Sequence, residues 1–308
     1  MPQGTTLKGE NGKAVDKVAK AKGVSPRTMY RAKAVKKANP QKARAVKQNK
    51  VSLTKAYQQV KAEEKAEEVR ELQEAERLLT DLEIMDKLGI KVQPYDLWQF
   101  SECDDRFGHD YPGRIPGQLV AHCLYYWTEQ GDTVLDPMAG SGTTIDVCEL
   151  FNRRVLAYDA HPCREDITQH DMAVQGWPEQ TAEAKLIFWD PPYFKKVDDG
   201  YGDKSISRLS RSAYLAFFEH MATTIPDAFH GSLAFLMSPY RDIENPLDSI
   251  WVHDYVNLFL SHGWHIQDLL NVPLTSQRVS PQQIKRFRDS KLLAWLMRDL
   301  VVMERPKS

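Results

Sequence analysis

From about residue 92 onward, short apolar runs alternate with amphipathic stretches, and this alternation limits the fold more than any other feature of the chain. Residues 133–135, 155–158, 186–189 and 233–237 each suit a buried strand and are too short for a helix. Around them, residues 118–127, 144–151 and 214–223 carry helical spacing. Strands that alternate with helices predict a doubly wound α/β sheet, because a parallel neighbour is reached by a crossover that a helix usually fills. Such sheets bind ligands at the carboxyl ends of their strands. The residues that follow each run are therefore the ones to read for chemistry.

The first run leads into Asp136-Pro137-Met138-Ala139-Gly140-Ser141-Gly142-Thr143-Thr144, which opens a helix. Glycine lets backbone approach a ligand where a Cβ would collide. The N–H groups of a helix N-terminus face an anionic group such as a carboxylate. A lone Gly-x-Gly turn is common, but the wider string is specific. It is neither the dinucleotide fingerprint nor the phosphate loop, which needs a Lys before its Ser/Thr. About twenty residues on, the second run ends in Asp159, where a carboxylate can accept from both hydroxyls of a ribose. Asp171 is the candidate acceptor for an adenine amino group, with Glu165 and Asp166 competing.

The third run ends in Asp190-Pro191-Pro192-Tyr193. Two prolines directly after a strand end the ladder and stiffen the turn, which suits a preorganised site. An exocyclic base amine is a poor nucleophile, because its lone pair is delocalised into the ring. A carboxylate and a backbone carbonyl that both accept from the NH2 favour a pyramidal nitrogen. Asp190 and the Pro191 carbonyl are the candidates. Tyr193 would stack on the base, which must leave a duplex to reach such a pocket. A proline-stiffened strand end with an exposed tyrosine is the structural alternative.

Together these motifs resemble the amino-methyltransferases of DNA, the N6-adenine and N4-cytosine family, over roughly residues 111 to 305. Tyr111, Pro112, Gly113, Ile115 and Pro116, with the helix to Trp127, resemble its preceding cofactor-contacting segment. Residues 232–237 resemble its next central strand, and residues 263–272 and 299–304 its closing β-hairpin. The resemblance implies a Rossmann-like class I methyltransferase fold with a seven-stranded, mostly parallel sheet. It implies S-adenosylmethionine as cofactor and a flipped base of duplex DNA as substrate, methylated by direct transfer. It places cofactor contacts on Asp136, Pro137, Ala139, Gly140, Gly142 and Thr143, joined by Asp159 and Asp171. It places catalysis on Asp190, Pro191, Pro192 and Tyr193. The leading Asp leans towards adenine N6, but some cytosine-N4 enzymes share it. Certain RNA methyltransferases also carry an Asp/Asn-Pro-Pro-aromatic loop, so RNA stays open. A DNA-binding regulator with a vestigial methyltransferase fold is the non-enzymatic alternative. The intact Asp190 and the unbroken Gly140-Ser141-Gly142 count against it. Restriction-associated relatives carry a large target-recognition domain, for which little room remains here. Two polar loops are candidates for nucleic-acid contact: residues 194–211, with Lys195, Lys196, Lys204, Arg208 and Arg211, and residues 275–288, with Gln277, Arg278, Lys285, Arg286 and Arg288. Solvated loops are the alternative.

The N-terminal part reads differently. Residues 1–60 hold 15 Lys and Arg against 2 Asp and Glu, while the remainder holds 26 against 40. A basic block on an acidic body suggests a polyanion-binding arm. Residues 1–12 read as a frayed tail. In residues 13–60, Val18, Ala19, Gly23, Val24, Met29 and Ala32 have helix-turn-helix spacing. Ser25 and Pro26 start the second helix. Ser25, Arg27, Thr28 and Arg31 then face the major groove. With Pro40, Ala43, Val46, Ser52, Leu53 and Ala56, this segment resembles the helix-turn-helix domain of the ParB plasmid-partition family. That family's nucleotide-binding and dimerisation parts are not visible. A basic helical hairpin for protein or RNA is the alternative.

Residues 61–91 read as a helical linker, with one long helix over 61–88. There Val69, Leu72, Leu79 and Leu82 suggest either a coiled-coil homodimer seam or a helix packed on its own body. The catalytic domain then spans 92–308. No apolar run approaches the roughly 20 residues that cross a bilayer, and no secretory signal is expected. The four scattered cysteines predict neither a zinc site nor a disulfide frame. A cytoplasmic protein, nucleoid-associated if bacterial or phage-encoded, fits this reading best.

Overall fold

The computed structural model describes residues 18–21, 23–76, 79–100, 102–109, 113–195, 205–273 and 281–305. They fall into two compact units, Met1–Glu74 and Ala75–Ser308. In the first unit residues 18–21 are helical. Gly23 then turns left-handed at φ +67°, and the Val24 amide donates to the Ala19 carbonyl at 3.1 Å. Helix α1 (Pro26–Ala38) starts under a Ser25 cap whose side chain accepts from the Thr28 amide at 3.1 Å. Pro26 sits in the first turn, where a missing N–H costs nothing. Asn39 caps α2 (Pro40–Lys47), and the Ser52 hydroxyl accepts from Lys55 at the start of α3 (Leu53–Glu76). Val35, Ala56 and Val60 form the small core, with Ala43, Val46, Leu53 and Tyr57 packed around it.

One boundary differs from the expectation. The helix that begins at Leu53 continues to Glu76, so the last helix of the basic segment and most of the linker are one element. A new helix, α4 (Asp81–Lys87), starts under its own capping box, formed between Thr80 and Glu83. That box gives the chain a fresh N-terminus inside the stretch read as one helix. The coiled-coil seam is therefore not continuous: Leu79 precedes α4, and Leu82 lies exposed on it. The side chains of Val69 and Leu72 lie outside the described residues.

The second unit is built on a sheet of β1 (Thr133–Asp136), β2 (Arg154–Asp159), β3 (Thr168–Gln169), β4 (Leu186–Trp189), β5 (Ser232–Met237), β6 (His265–Pro273) and β7 (Met297–Glu304). Helices α5 (Gly117–Trp127), α6 (Thr143–Leu150), α7 (Met172–Gln175), α8 (Arg211–Thr224), α9 (Val252–Ser261) and α10 (Pro281–Asp289) accompany it. The strand order is β3-β2-β1-β4-β5-β7-β6. All neighbours pair in parallel except β7, which runs against both β5 and β6. This is the seven-stranded, mostly parallel α/β sheet expected. The chain leaves β1 towards β2 and returns to β4 on its other side, so the order reverses between β1 and β4. That switch opens a crevice at their carboxyl ends.

All four residues of β4 are buried, which explains why they read as an uninterrupted apolar run. Trp189 stacks on Phe235 at 4.7 Å, and Phe218, Tyr255 and Phe259 complete an aromatic core under the β4 and β5 ends. On the β1 side, the fully buried Arg153 side chain grips Asp81 at the start of α4 with two bonds, at 2.5 and 2.7 Å. The same guanidinium donates to the Thr128 hydroxyl and carbonyl.

Candidate active site

Asp136, Asp159 and Asp190 end or follow β1, β2 and β4, so one edge of the sheet gathers three carboxylates. All three line a single cleft, together with Pro137, Ala139, Gly140, Thr143, Asp171 and Pro192. Gly113, Arg114 and Ile115 line it too, whereas Tyr111 and Pro112 lie outside the described residues. Gly140, at φ +47°, donates its amide to Asp159 Oδ2 at 2.9 Å, and the His161 amide donates to Asp159 Oδ1. The glycine turn and the β2 end are thereby tied together. Asp136 Oδ1 accepts from the Met138 amide at 3.1 Å. Burial pushes the Asp136 carboxyl up to about 7; the Thr144 hydroxyl and the Met138 amide oppose the rise, and the charges of Asp190 and Asp159 add to it.

The structure also sorts the competing assignments. Asp166 is committed to Arg164, which also pairs with Asp146 at 2.7 Å. Asp171 lines the cleft and caps α7, accepting from the Ala173 amide at 3.0 Å. Glu165 does not line the cleft. Gly142 is not among the residues that line it. It is the left-handed N-cap of α6 at φ +78°, and a Cβ there would stand 2.5 Å from Arg164 Nη1. Its second duty is to make room for the Arg164 ion pairs.

The tetrapeptide is held by its own side chains. The Tyr193 hydroxyl donates to Asp190 Oδ1 at 2.6 Å, and the Tyr214 hydroxyl donates to the Pro192 carbonyl at 3.0 Å. Neither Pro191 nor Tyr193 lines the cleft. Stacking on a base is the role expected of the Tyr193 ring, and its hydroxyl binds Asp190. Burial, and then the Asp190 charge, hold the Tyr193 phenol well above its usual range, with Arg298 acting the other way. Arg298 was not read from the sequence. It enters from β7, and its only local signal is a charge near the start of that strand, beside Asp299.

The expected nucleic-acid contacts are scattered. In the first unit Arg27 and Thr28 are exposed near the start of α1, Ser25 serves as the cap and hydrogen-bonds Thr28, and Arg31 lies 5.4 Å from the Tyr57 ring centre. In the second, Lys195 is drawn towards Asp242 at 3.5 Å and lies over the Tyr240 ring. Arg208 is exposed on a short turn. Arg286 pairs with Glu244 at 2.9 Å and stands on α10, so part of the stretch read as a loop is a helix. Lys196, Lys204, Gln277 and Arg278 lie outside the described residues. The sequence reading passed over a cluster on the catalytic edge. Met237 at the end of β5 faces Asp299 near the start of β7, so the segments beyond both strand ends share the edge with Asp190. There Trp251 packs on Trp295 at 4.2 Å, with the Arg241 guanidinium 4.9 Å over the Trp295 ring.

Four carboxylates line the cleft, Asp136, Asp159, Asp171 and Asp190, and would repel a phosphate-bearing cofactor. They suit a cation. Asp159 at the second strand end offers acceptors for a ribose, and the backbone of Gly140 lets a ligand come close. A cationic nucleoside cofactor such as S-adenosylmethionine fits this donor set.

The N6/N4 methyltransferase family model, described as DNA methylase, matches residues 15–170, just over half of the chain. The match takes in the glycine turn and ends before Asp190. The type II methyltransferase M2.DpnII of Streptococcus pneumoniae is 30% identical over 80 residues, 25% of this chain and 30% of that protein. The type II methyltransferase M.XycI of Xanthomonas campestris pv. cyanopsidis is 42% identical over 48 residues, 16% of either chain. These matches span less than a third of the relatives' own length. Among solved structures, a SAM-dependent methyltransferase from Geobacter sulfurreducens in complex with S-adenosyl-L-homocysteine has a TM-score of 0.35 and 10% identity, covering 58% of this chain and 86% of that chain. The chain belongs to the N6/N4 DNA methylase family.

Proposed function

We propose that the chain methylates an exocyclic base amine of DNA, adenine N6 ahead of cytosine N4, on a base flipped out of the duplex. The observation that carries this is the meeting of Asp136, Asp159 and Asp190 in one cleft, beside a left-handed glycine turn. Bound S-adenosylmethionine supplies an electrophilic methyl group on a positively charged sulfur. Asp159 and Asp171 are the acceptors for its ribose and its adenine amino group. Gly140 leaves room for close approach, with Pro137, Ala139 and Thr143 as the walls. Asp136 contributes negative charge beneath the cationic group.

Asp190 accepts a hydrogen bond from the substrate amine, which localises the nitrogen lone pair, and takes up the proton that the nitrogen sheds once it carries the methyl. Pro191 and Pro192 keep this carboxylate in place without further ordering. No enzyme nucleophile is needed, so transfer is direct. Arg27, Thr28 and Arg31 of α1 grip DNA through the major groove. Arg208, Arg286 and the Arg241–Trp295 cluster contact the strand near the flipped base. The place of work is the nucleoid.

Nucleoside analysis tests the reading. Unmethylated duplex DNA and RNA are each incubated with enzyme and cofactor, digested, and resolved by mass. N6-methyladenine in DNA supports the proposal. N4-methylcytosine moves the specificity to the other branch, methylated RNA alone replaces the substrate, and tight DNA binding without any product favours a regulator.

A further inference from the structure

Arg298 is strongly buried at the catalytic edge, at 5% exposure, and among the described residues its Nε has no hydrogen-bond partner. Burying a guanidinium is costly, and leaving one of its donors unpaired adds to the cost. A well-packed apolar residue of similar volume would fill the place more cheaply. The ladder itself does not need the charge, because β7 is held through its backbone to both β5 and β6. What the guanidinium does touch is the catalytic loop. It lies within electrostatic reach of both the Tyr193 hydroxyl and Asp190. The same Tyr193 hydroxyl donates to Asp190 Oδ1 at 2.6 Å. A phenol placed between a guanidinium and a carboxylate can accept from one and donate to the other. Its proton then points in one direction only.

We propose that Arg298 is a positioning residue for methyl transfer: its buried guanidinium, reaching in from β7, orients the Tyr193 hydroxyl onto Asp190 and so sets the angle at which Asp190 meets the substrate amine. This rests on Asp190 being the acceptor for that amine. The charges around Asp190 explain why a buried cation is worth keeping. Asp136 faces it from the end of β1 and Tyr193 from its own loop, with Asp159 beyond Asp136; Arg298 is the positive group set against them. Cys103 also lies within reach of Arg298. Without the guanidinium, the Tyr193 hydroxyl loses a donor that fixes its orientation, and Asp190 loses a nearby positive charge.

Arg298→Met tests this in the full chain. A crystal structure of the variant is expected to show the Tyr193 hydroxyl away from Asp190. Methyl transfer is expected to fall by at least about tenfold, with the acid limb of its pH profile about one unit higher, while cofactor affinity stays within about twofold. Arg298→Lys keeps the charge without the planar fork and should return the acid limb towards the wild-type position while restoring only part of kcat. If Arg298→Met does not fold, Arg298→Gln carries the same readouts. In a Tyr193→Phe background, loss of Arg298 should have much less effect on kcat than in the wild type, since the link it acts through is gone. A Tyr193–Asp190 contact unchanged at 2.6 Å in the Met or Gln variant overturns the proposal. The crystallographic readout needs no turnover. Failure of the wild-type chain to methylate DNA would count against the proposed function and leave this test standing.

Discussion

Asp136 shows how far a residue's surroundings reshape its chemistry. Its carboxyl titrates near 7 in the fold, raised by burial and then by Asp190 and Asp159, whereas an unfolded aspartate loses its proton near 4. Between those values the folded chain holds the extra proton. Stability without cofactor should therefore fall as pH rises from about 4 to about 7 and level off above, with a slope on the order of 1.4 kcal/mol per unit at most. Asp136→Asn should abolish this slope and leave the cofactor-free chain more stable than wild type at pH 8. It should also weaken binding of the cationic cofactor. Thermal unfolding at pH 5 and pH 8 checks it, and an unchanged slope in the variant would show that another group titrates. At this scale the site was legible wherever its residues are local in sequence. Asp136 to Thr144 and Asp190 to Tyr193 each sit on one turn, so their spacing carries the signal. Arg298 comes from the last strand and reaches the loop only through the fold. Arg164, which crowds Gly142, likewise lies on a different segment.

Among the elements, α4 carries a consequence that its length would not suggest. Its first residue, Asp81, neutralises the buried Arg153, whose guanidinium also donates to Thr128. Asp81→Ala leaves that charge buried and unpaired, at an expected cost of roughly 3–5 kcal/mol. Urea unfolding at neutral pH would read this as a lower midpoint at unchanged slope. A loss below about 1 kcal/mol would mean that water reaches Arg153 and the pair acts like an exposed one. Strands were easy to read: β4 occupies residues 186–189 as expected, because a strand buried on both faces leaves an unbroken apolar run. Helix α10 was hard, since Ile284 and Phe287 are its only large apolar residues and a polar helix shows little periodicity. The join at α3 was hidden by composition. The sequence changes from basic to acidic near residue 60, but a helix responds to propensity, and the run of Ala, Glu and Lys there favours it on both sides.

For the whole molecule, the charge division is the property to test. The basic first sixty residues belong to an all-α unit with its own small core, and the acidic remainder carries the cleft. DNA affinity that comes mainly from the basic unit should fall steeply with salt, because each phosphate contact releases counterions. A truncation placed after Glu76 removes α1 to α3 without cutting a helix, whereas a cut at residue 60 would leave a frayed half of α3. The truncated chain should bind duplex DNA more weakly and with a shallower salt slope. Equal affinity and an equal slope would assign the basic unit another role. The fold class of both units was legible because each rests on a repeated pattern. Their boundary was not, because it runs through a continuous helix.

The most direct test of the account is a paired measurement on wild type and Asp190→Ala. Transfer of labelled methyl groups from S-adenosylmethionine to unmethylated duplex DNA is followed beside cofactor binding by calorimetry. The account predicts label in an exocyclic amine for the wild type, a loss of at least about a hundredfold in the variant, and cofactor affinity that is preserved or slightly higher. Undiminished transfer by Asp190→Ala would contradict it.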